Sequence, residues 1–374
     1  MNDRVFAYFG VAPDSHEWLD WAWQLRHRIT SVFDLSEILS LSDEEKRGIA
    51  HSLGTFRMAI TPYFASLLDA EDPACPLRMQ VVPSVHETRV MPWETEDPLN
   101  EDKDSPVARI VHRYPDRALF LATFQCAAYC RHCVRKRRVG EEDFPISHEE
   151  RDRAIDYIAN TPQIRDVLIS GGDPLTIGDE VLESIIAKLR AIKHVEIIRI
   201  GTRIPAVMPM RITPALLAML KKYHPIWINV HFNHPRELTT QAFAACTAIA
   251  DAGIPLGNQS VLLKNINDDA GIMKELLLKL VQARIRPYYI YQCDLFEGSE
   301  HFRTNVELGL GIIHALTGHI SGFAVPRFVI DAPNGGGKVP LYPDNVVSLD
   351  DKRIEIRNYE GQVYAYPQPR CGTE

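Results

Sequence analysis

The strongest constraint on the fold is a repeated alternation of short apolar segments and longer amphipathic segments between residues 118 and 292. The pattern predicts strands at 119–124, 166–170, 195–201, 226–231, 256–260 and 286–292, with helices near 148–160, 178–192, 214–222, 238–252 and 268–283. Such alternation is typical of a parallel sheet with right-handed crossovers. We therefore predict an α/β fold, a partial (βα)6 barrel rather than a closed eight-fold one, over residues 118–320.

The segments on either side differ from this repeat. Residues 16–29 predict one amphipathic helix, and Ser42 and Glu45 have the spacing of a capping box at the start of a second helix. Residues 84–106 are rich in Pro, Asp and Glu, which predicts an irregular linker. We expect an N-terminal helical region with its linker at 1–117 and a C-terminal segment at 321–374.

Composition argues against several classes of protein. The net charge of −8 argues against a general nucleic-acid-binding surface. No apolar run approaches the roughly 20 residues that span a bilayer, and the first residues show no signal-peptide pattern. Seven cysteines, three of them clustered, predict a reducing, cytoplasmic compartment.

The clustered cysteines, Cys126, Cys130 and Cys133, have C-x3-C-x2-C spacing directly after the first predicted strand. Three thiolates so close together can bind a cubane iron–sulfur cluster and leave one iron open, whereas clusters with four thiolates usually only transfer electrons. Zinc sites usually have two C-x2-C pairs or a Cys/His quartet, and unpaired structural cysteines are the other alternative. The spacing therefore favours a cluster with chemistry at the open iron.

Polar residues gather where the predicted strands end, which is the edge that carries the active site in barrels of this type. Gly171, Gly172 and Asp173 follow the second strand, where bare backbone can approach a ligand closely. An ordinary strand-to-helix turn is the alternative. The other strand ends carry Gly201-Thr202-Arg203, His231, Asn233, Asn258, Gln259 and Asp294.

Lys338 follows three glycines in a segment that superficially suggests a phosphate-binding loop. The Walker pattern fails, because Val339 stands where Ser or Thr belongs. A lysine presented by flexible glycines can instead form a Schiff base with pyridoxal phosphate, although most lysines are solvated surface groups. Arg113 and Arg117, near the first strand, could bind a phosphate group or remain solvated.

With these residues in place, the chain resembles the lysine 2,3-aminomutase family of radical S-adenosylmethionine enzymes over residues 18–361. The resemblance is carried by six motifs: RMAITPY at 57–63, HRYPDR at 112–117, YCRHC at 129–133, HFNHP at 231–235, PLGNQSVLL at 255–263 and RPYYIYQCD at 286–294. It implies a radical SAM partial barrel with a cofactor lysine in the C-terminal segment. It also implies an isomerase that moves the amino group of L-lysine from the α to the β carbon, to give β-lysine.

The resemblance further implies three cofactors, an external electron donor such as flavodoxin or ferredoxin, and a homo-oligomer. A 5′-deoxyadenosyl radical would start the reaction. The implied residue roles are as follows: a [4Fe–4S] cluster on Cys126, Cys130 and Cys133; S-adenosylmethionine near Gly171, Gly172, Asp173, His231 and Gln259; pyridoxal 5′-phosphate as a Schiff base on Lys338, with Arg113, Tyr114 and Arg117 around it; the substrate α-carboxylate on Arg135; and the distal ammonium between Asp294 and Asp331.

The two aspartates indicate the substrate. Two carboxylates that converge on one cation fit lysine, and they would repel a dicarboxylic amino acid. Arginine, ornithine and a protein-bound lysine are alternative substrates for the same amino shift. An iron–sulfur electron-transfer or binding module is the remote alternative, and it would not need Lys338.

The sequence departs from the clostridial type of the family at its zinc-binding cysteines. The C-terminus has one cysteine, Cys371, and Asp269 stands where the internal partner cysteine would be. We therefore expect no structural zinc.

Overall fold

The computed structural model describes residues 2–52, 54, 56–140, 146–350 and 352–368. Within these ranges the main sheet has nine strands, ordered as they occur along the chain. Its strands are β1 Ile110–Tyr114, β2 Arg117–Thr123, β3 Asp166–Gly171, β4 Ile197–Thr202, β5 Ile226–Val230, β6 Leu256–Leu262, β7 Ile285–Gln292, β8 Arg327–Ala332 and β9 Gly337–Leu341. A second, antiparallel sheet consists of β10 Val346–Leu349, β11 Arg353–Arg357 and β12 Val363–Pro367.

Strands β2 to β8 pair in parallel, each with the next one along the chain. The six predicted strands correspond to β2 through β7, so the predicted α/β partial barrel is confirmed. Strand β8 adds one parallel strand beyond those six, because its buried residues Phe328 and Val329 pair with β7. Strands β1 and β9 are antiparallel to their neighbours and form the two edges of the sheet.

The helices that connect the parallel strands bury one apolar face each against the sheet. In the helix that follows β3, for example, Leu182, Ile185, Ile186 and Leu189 are fully buried at the 3.6-residue period. The helices are α1 Asp3–Phe9, α2 His16–Leu19, α3 Trp21–Arg26, α4 Val32–Ile38, α5 Asp43–Ser52, α6 Pro62–Ala65, α7 His148–Ala159, α8 Asp179–Arg190, α9 Ile204–Val207, α10 Pro214–Lys221, α11 Thr240–Asp251, α12 Ala270–Gln282 and α13 Val306–Leu316.

The prediction of one helix over residues 16–29 is wrong, because the chain breaks at Asp20 into α2 and α3. Asp20 has an extended conformation, and its carboxylate accepts a hydrogen bond from the Ala22 amide at 2.9 Å. An aspartate that caps a new helix in this way competes with continuation of the old one.

The capping box at the start of α5 is confirmed. The Glu45 amide donates to the Ser42 hydroxyl at 3.1 Å, and the Ser42 amide donates to the Glu45 carboxylate at 2.8 Å. Glu45 also forms a buried ion pair with Arg78, with two contacts of 2.6 Å. The capping residue therefore links α5 to the segment that leads into the barrel.

The expected absence of structural zinc stays a prediction. Asp269 caps α12, where its carboxylate accepts hydrogen bonds from the amides of Gly271 and Ile272 at 2.8 and 3.0 Å. Cys371 lies outside the described residues. Across the part of the chain that the structure covers, we find no helix with both the length and the apolar character of a membrane span.

Candidate active site

The three clustered cysteines lie on an irregular loop that follows β2, and their side chains are half-buried. The backbone of this cysteine loop, residues 124–140, forms hydrogen bonds with the N-terminal region of the chain. The Tyr129 amide donates to the Ala59 carbonyl at 2.9 Å, and the Arg131 amide donates to the Gln80 carbonyl at 2.8 Å. These contacts bring the N-terminal region against the loop, so residues far from the motif fix its shape.

Burial and mutual repulsion disfavour free thiolates on the cysteine loop. Burial raises the pKa of Cys126 well above its usual value, and the charges of Asp173, Cys133 and Cys130 raise it further. Burial likewise raises the pKa of Cys133 to about 11. Sulfur ligands that crowd one another in this way are stabilised as thiolates when a cation replaces their protons. Within the described ranges no three His, Cys, Asp or Glu side chains form a site for a single metal ion.

The glycines at the end of β3 pack against the end of β2 and the start of the cysteine loop. A Cβ atom on Gly171, whose φ is +113°, would lie 2.3 Å from the Thr123 carbonyl oxygen, and one on Gly172 would lie 2.4 Å from the Gln125 carbonyl oxygen. The Gly172 amide donates to Thr123 at 2.6 Å, and the Asp173 amide donates to Gln125 at 2.8 Å. Bare backbone is therefore needed here because two backbone segments meet.

Asp173 is buried and bonded to the next strand end. Its carboxylate accepts hydrogen bonds from the Thr202 hydroxyl at 2.7 and 2.9 Å and from the Arg203 amide at 2.7 Å. Burial raises the pKa of Asp173, and these hydrogen bonds oppose the rise. The structure thus gives Asp173 a role in joining β3 to β4, and its contact with S-adenosylmethionine stays a prediction.

Arg203 directly follows β4, at the edge of the sheet where the sequence predicts the active site. Its Nη1 lies 2.6 Å from the Cys130 sulfur, and its Nη2 donates to Gln80 at 2.6 Å and to Glu237 at 3.2 Å. The signal in the sequence was its position directly after β4. The contact itself joins residues 73 positions apart, which no local pattern predicts.

Three buried nitrogen atoms near the cysteine loop have no hydrogen-bond partner in the part of the chain that the structure describes. They are Nδ1 of His132, Nε of Arg203 and Nε2 of His231. The two histidine rings stack with their centroids 5.6 Å apart, and burial lowers the pKa of His231 to about 3. Buried polar atoms normally have partners, so a polar ligand such as S-adenosylmethionine fits here. Gln259 lies on the neighbouring β6, half-buried.

Lys338 lies on the edge strand β9 and pairs with Asp331 on β8. Its Nζ is 2.9 and 3.0 Å from the two Asp331 oxygens, and it lies 5.1 Å from the centre of the Tyr291 ring. Its backbone amide donates to the Tyr114 hydroxyl at 2.9 Å, and the Arg117 guanidinium stacks 3.9 Å from the Tyr114 ring centre. The structure therefore brings Lys338 together with two of the predicted cofactor-binding residues.

Asp294 is buried close enough to Asp331 and Lys338 for both charges to act on its carboxyl. Burial and the charge of Asp331 raise the pKa of Asp294 to about 7, although the charges of Lys338 and Arg135 lower it. A nearby cation favours the ionised form of a carboxyl group that burial and a second carboxylate disfavour. In this structure Lys338 supplies that cation.

Arg135 and Arg113 both bind an acidic loop, residues 97–104, that the sequence predicted only as irregular linker. Nε and Nη2 of Arg135 contact the carboxylate of Glu101 at 2.6–3.0 Å. Arg113 donates from Nε to Asp104 at 2.7 Å and from Nη2 to the Leu99 carbonyl. Both arginines lie beside the predicted site, and their roles toward substrate and cofactor stay predictions.

Comparisons with known proteins agree with this geometry. A family model described as lysine-2,3-aminomutase matches residues 313–373, and a model of the radical SAM superfamily matches residues 121–276. The L-lysine 2,3-aminomutase of Clostridium subterminale is 54% identical over 99% of this chain and 88% of its own length.

Two further relatives differ in their similarity to this chain. The L-lysine 2,3-aminomutase of Fusobacterium nucleatum is 56% identical, over 100% of this chain and 87% of its own. The glutamate 2,3-aminomutase of Clostridioides difficile is more distant, at 44% over 97% of this chain and 86% of its own. The protein is accordingly an isomerase whose radical SAM chemistry uses a [4Fe–4S] cluster and S-adenosylmethionine. This chain belongs to the lysine 2,3-aminomutase family of radical S-adenosylmethionine enzymes.

Proposed function

We propose that this protein is an L-lysine 2,3-aminomutase that converts L-lysine to β-lysine with pyridoxal 5′-phosphate bound to Lys338. One observation carries the choice of substrate: Asp331 binds an alkylammonium, that of Lys338 itself, and the charges of both residues act on the buried Asp294 carboxyl. A lysine substrate ends in the same group. When Lys338 is engaged by the cofactor, the distal ammonium of the substrate takes its place between the carboxylates.

Each residue of the chain has a physical task in this proposal. Bound cluster and S-adenosylmethionine supply a radical that abstracts hydrogen, and bound pyridoxal phosphate supplies the carbonyl that makes the amino nitrogen mobile. Cys126, Cys130 and Cys133 hold the cluster. Gly171, Gly172 and Asp173 fix the loop that carries those cysteines, and His231 and Gln259 line the S-adenosylmethionine site beside it. Because the substrate is held at both ends, its β-carbon stays close to the reacting group.

Around the second cofactor, Tyr114 orients the backbone of Lys338, and Arg113 and Arg117 supply positive charge for the cofactor phosphate. Arg135 receives the substrate α-carboxylate while Glu101 holds its guanidinium by the Nε edge. We propose that the C-terminal segment from residue 321 contributes Lys338 and Asp331 to this site, and that the barrel of residues 118–320 contributes Arg135 and Asp294. The N-terminal region, residues 1–117, supports the cysteine loop.

A glutamate substrate is disfavoured by charge, although a glutamate 2,3-aminomutase is among the relatives. Its distal carboxylate would face Asp294 and Asp331, and like charges in a partly buried site cost several kcal/mol. Arginine and ornithine carry distal cations and differ from lysine in length. They are therefore the substrates against which lysine has to be compared.

We also propose a flavodoxin- or ferredoxin-type electron donor, a homo-oligomer and a cytoplasmic location. The sheet β10–β12 exposes Leu349, Tyr364 and Tyr366 by 65%, 50% and 64%, which supports association of subunits through this face. Every cysteine that the structure describes is free, which supports a reducing compartment.

The test is an anaerobic assay of the protein with reconstituted cluster, S-adenosylmethionine, pyridoxal phosphate and a chemical reductant. L-Lysine, L-arginine, L-ornithine and L-glutamate are each incubated, and β-amino acids are detected by mass spectrometry and NMR. We expect β-lysine. Rearrangement of another amino acid but not of lysine would overturn the proposal. Asp331→Asn should weaken lysine turnover, while Asp251→Asn, which removes an exposed carboxylate paired with Arg284, should leave it intact.

A further inference from the structure

We infer that Arg203 is a positioning residue that holds the Cys130 sulfur at the cluster and raises the cluster's reduction potential. The inference rests on the proposed role of Cys130 as an iron ligand. Arg203 is 8% exposed, and its Nη1 donates to the Cys130 sulfur at 2.6 Å. The Arg203 guanidinium is therefore a positive charge in direct contact with the Cys130 sulfur.

Two contacts fix the guanidinium against this sulfur. Nη2 of Arg203 donates to the Gln80 side chain at 2.6 Å. The Gln80 backbone carbonyl accepts a hydrogen bond at 2.8 Å from the amide of Arg131, the residue that follows Cys130. The backbone amide of Arg203 is bound by Asp173 at 2.7 Å. Arg203 is thereby tied both to the neighbour of Cys130 and to the residue that anchors the start of the cysteine loop.

A role as counter-ion for the buried Glu237 explains Arg203 less well. Oε1 of Glu237 already accepts hydrogen bonds from the amides of Asn233 and His234 and from the Gln80 side chain, at 3.0–3.1 Å. Its other oxygen, Oε2, lies 3.2 Å from Nη2 of Arg203, the same nitrogen that donates to Gln80. Nη1 is the nitrogen that contacts the sulfur, so pairing with Glu237 leaves the contact with Cys130 unexplained.

A hydrogen bond from a cation to a ligating sulfur has a defined electronic effect. It withdraws negative charge from the thiolate, which makes the reduced cluster easier to form. In this enzyme one electron must reach the cluster from an external donor before S-adenosylmethionine can be cleaved. Arg203 therefore helps to bring the cluster within reach of that donor.

The test is an EPR-monitored redox titration of the reconstituted protein without substrate. Arg203→Gln should shift the midpoint potential of the cluster to more negative values, and Arg203→Lys, which keeps the charge, should shift it less. Arg211→Gln is the matched control, because Arg211 is fully buried but binds the carbonyls of Leu175 and Ile177 rather than a thiol. Its potential should equal that of the wild type. An unchanged potential in Arg203→Gln overturns the inference.

A second measurement needs no variant and so does not depend on a mutant that folds. The wild type is grown with arginine labelled with 15N in the guanidinium group alone, and the reduced cluster is studied by pulsed EPR. A 15N coupling supports the sulfur contact, and its absence overturns it. Neither experiment contains lysine, so failure of lysine turnover would refute the proposed function and leave this inference standing. Full cluster content in Cys130→Ala would refute the role of Cys130 instead.

Discussion

Replacing Asp294 with Asn should weaken lysine binding and remove much of its pH dependence between pH 6 and 8. The pKa of Asp294 is raised to about 7 because burial and the charge of Asp331 outweigh the charges of Lys338 and Arg135, and Glu101 adds a smaller rise. The ionised carboxylate is the form that binds an ammonium. Affinity is therefore full above pH 7 and is lost as the pH falls through 7.

The magnitude follows from the fraction of Asp294 that is ionised. With a pKa of 7, that fraction falls from about nine-tenths at pH 8 to about one-tenth at pH 6, so the apparent dissociation constant rises about tenfold. Engagement of Lys338 by the cofactor removes one group that lowers this pKa, which makes about tenfold a lower limit. In Asp294→Asn, loss of a charged hydrogen bond worth about 1.5–3 kcal/mol weakens binding at pH 8 by roughly 10- to 150-fold.

The assay is isothermal titration calorimetry with L-lysine, on protein that holds its cluster and pyridoxal phosphate but no S-adenosylmethionine, so that no turnover occurs. Titration of the substrate's own amino groups is common to wild type and variant, and it cancels in their ratio. At pH 7 the wild type should release at least about half a proton more than Asp294→Asn, measured in two buffers of different ionisation enthalpy. Equal pH dependence in the two proteins, or unchanged affinity of the variant at pH 8, would refute this account.

Three further variants test other parts of the structure. Lys338→Arg should leave no pyridoxyl label on the protein after borohydride reduction, and a retained label would exclude Lys338 as the cofactor lysine. Gly171→Ala should lower iron content, because its Cβ would lie 2.3 Å from a backbone oxygen, whereas Gly178→Ala meets nothing within 4 Å and should load normally; equal loading would contradict this packing. Glu45→Gln should cost about 3–5 kcal/mol in urea unfolding, because the buried guanidinium of Arg78 keeps its bonds to backbone carbonyls but loses its carboxylate partner. Glu71→Gln breaks the exposed ion pair with Arg4 and should lower the free energy of unfolding by less than about 1 kcal/mol. Similar losses in the two variants would contradict the assignment of Glu45 to a buried pair and Glu71 to an exposed one.

The barrel could be predicted from the sequence because its signals are local. Apolar residues within a short segment indicate a buried strand without any knowledge of the strands that pair with it, as in 166–170 and 226–231. The break at Asp20 could also have been found, since an aspartate at a helix start is a local signal. The edge strand β1 was missed because Ile110 and Val111 are followed by polar residues that give no alternation.

The candidate site divides in the same way. The cysteines stand out by their spacing, Lys338 by the three glycines before it, and Asp294 by its place at a strand end, although its role toward substrate is implied only by the family resemblance. Arg203 and Glu101 do not, since each acts through one partner that lies far away in the sequence, Cys130 and Arg135 respectively. Such contacts depend on how the loops pack across the barrel, and only coordinates reveal them.

The two edge strands of the main sheet meet at the lysine that would bind pyridoxal phosphate. Tyr114 ends the first strand and Lys338 lies on the last, and a hydrogen bond joins them across 224 positions of sequence. A cofactor held by residues of β1 and β9 would link the two edges of the main sheet. The hydrogen bond from Lys338 to Tyr114 already joins the two edges, so a bound cofactor would add to the closure of the sheet around the cavity in which it works.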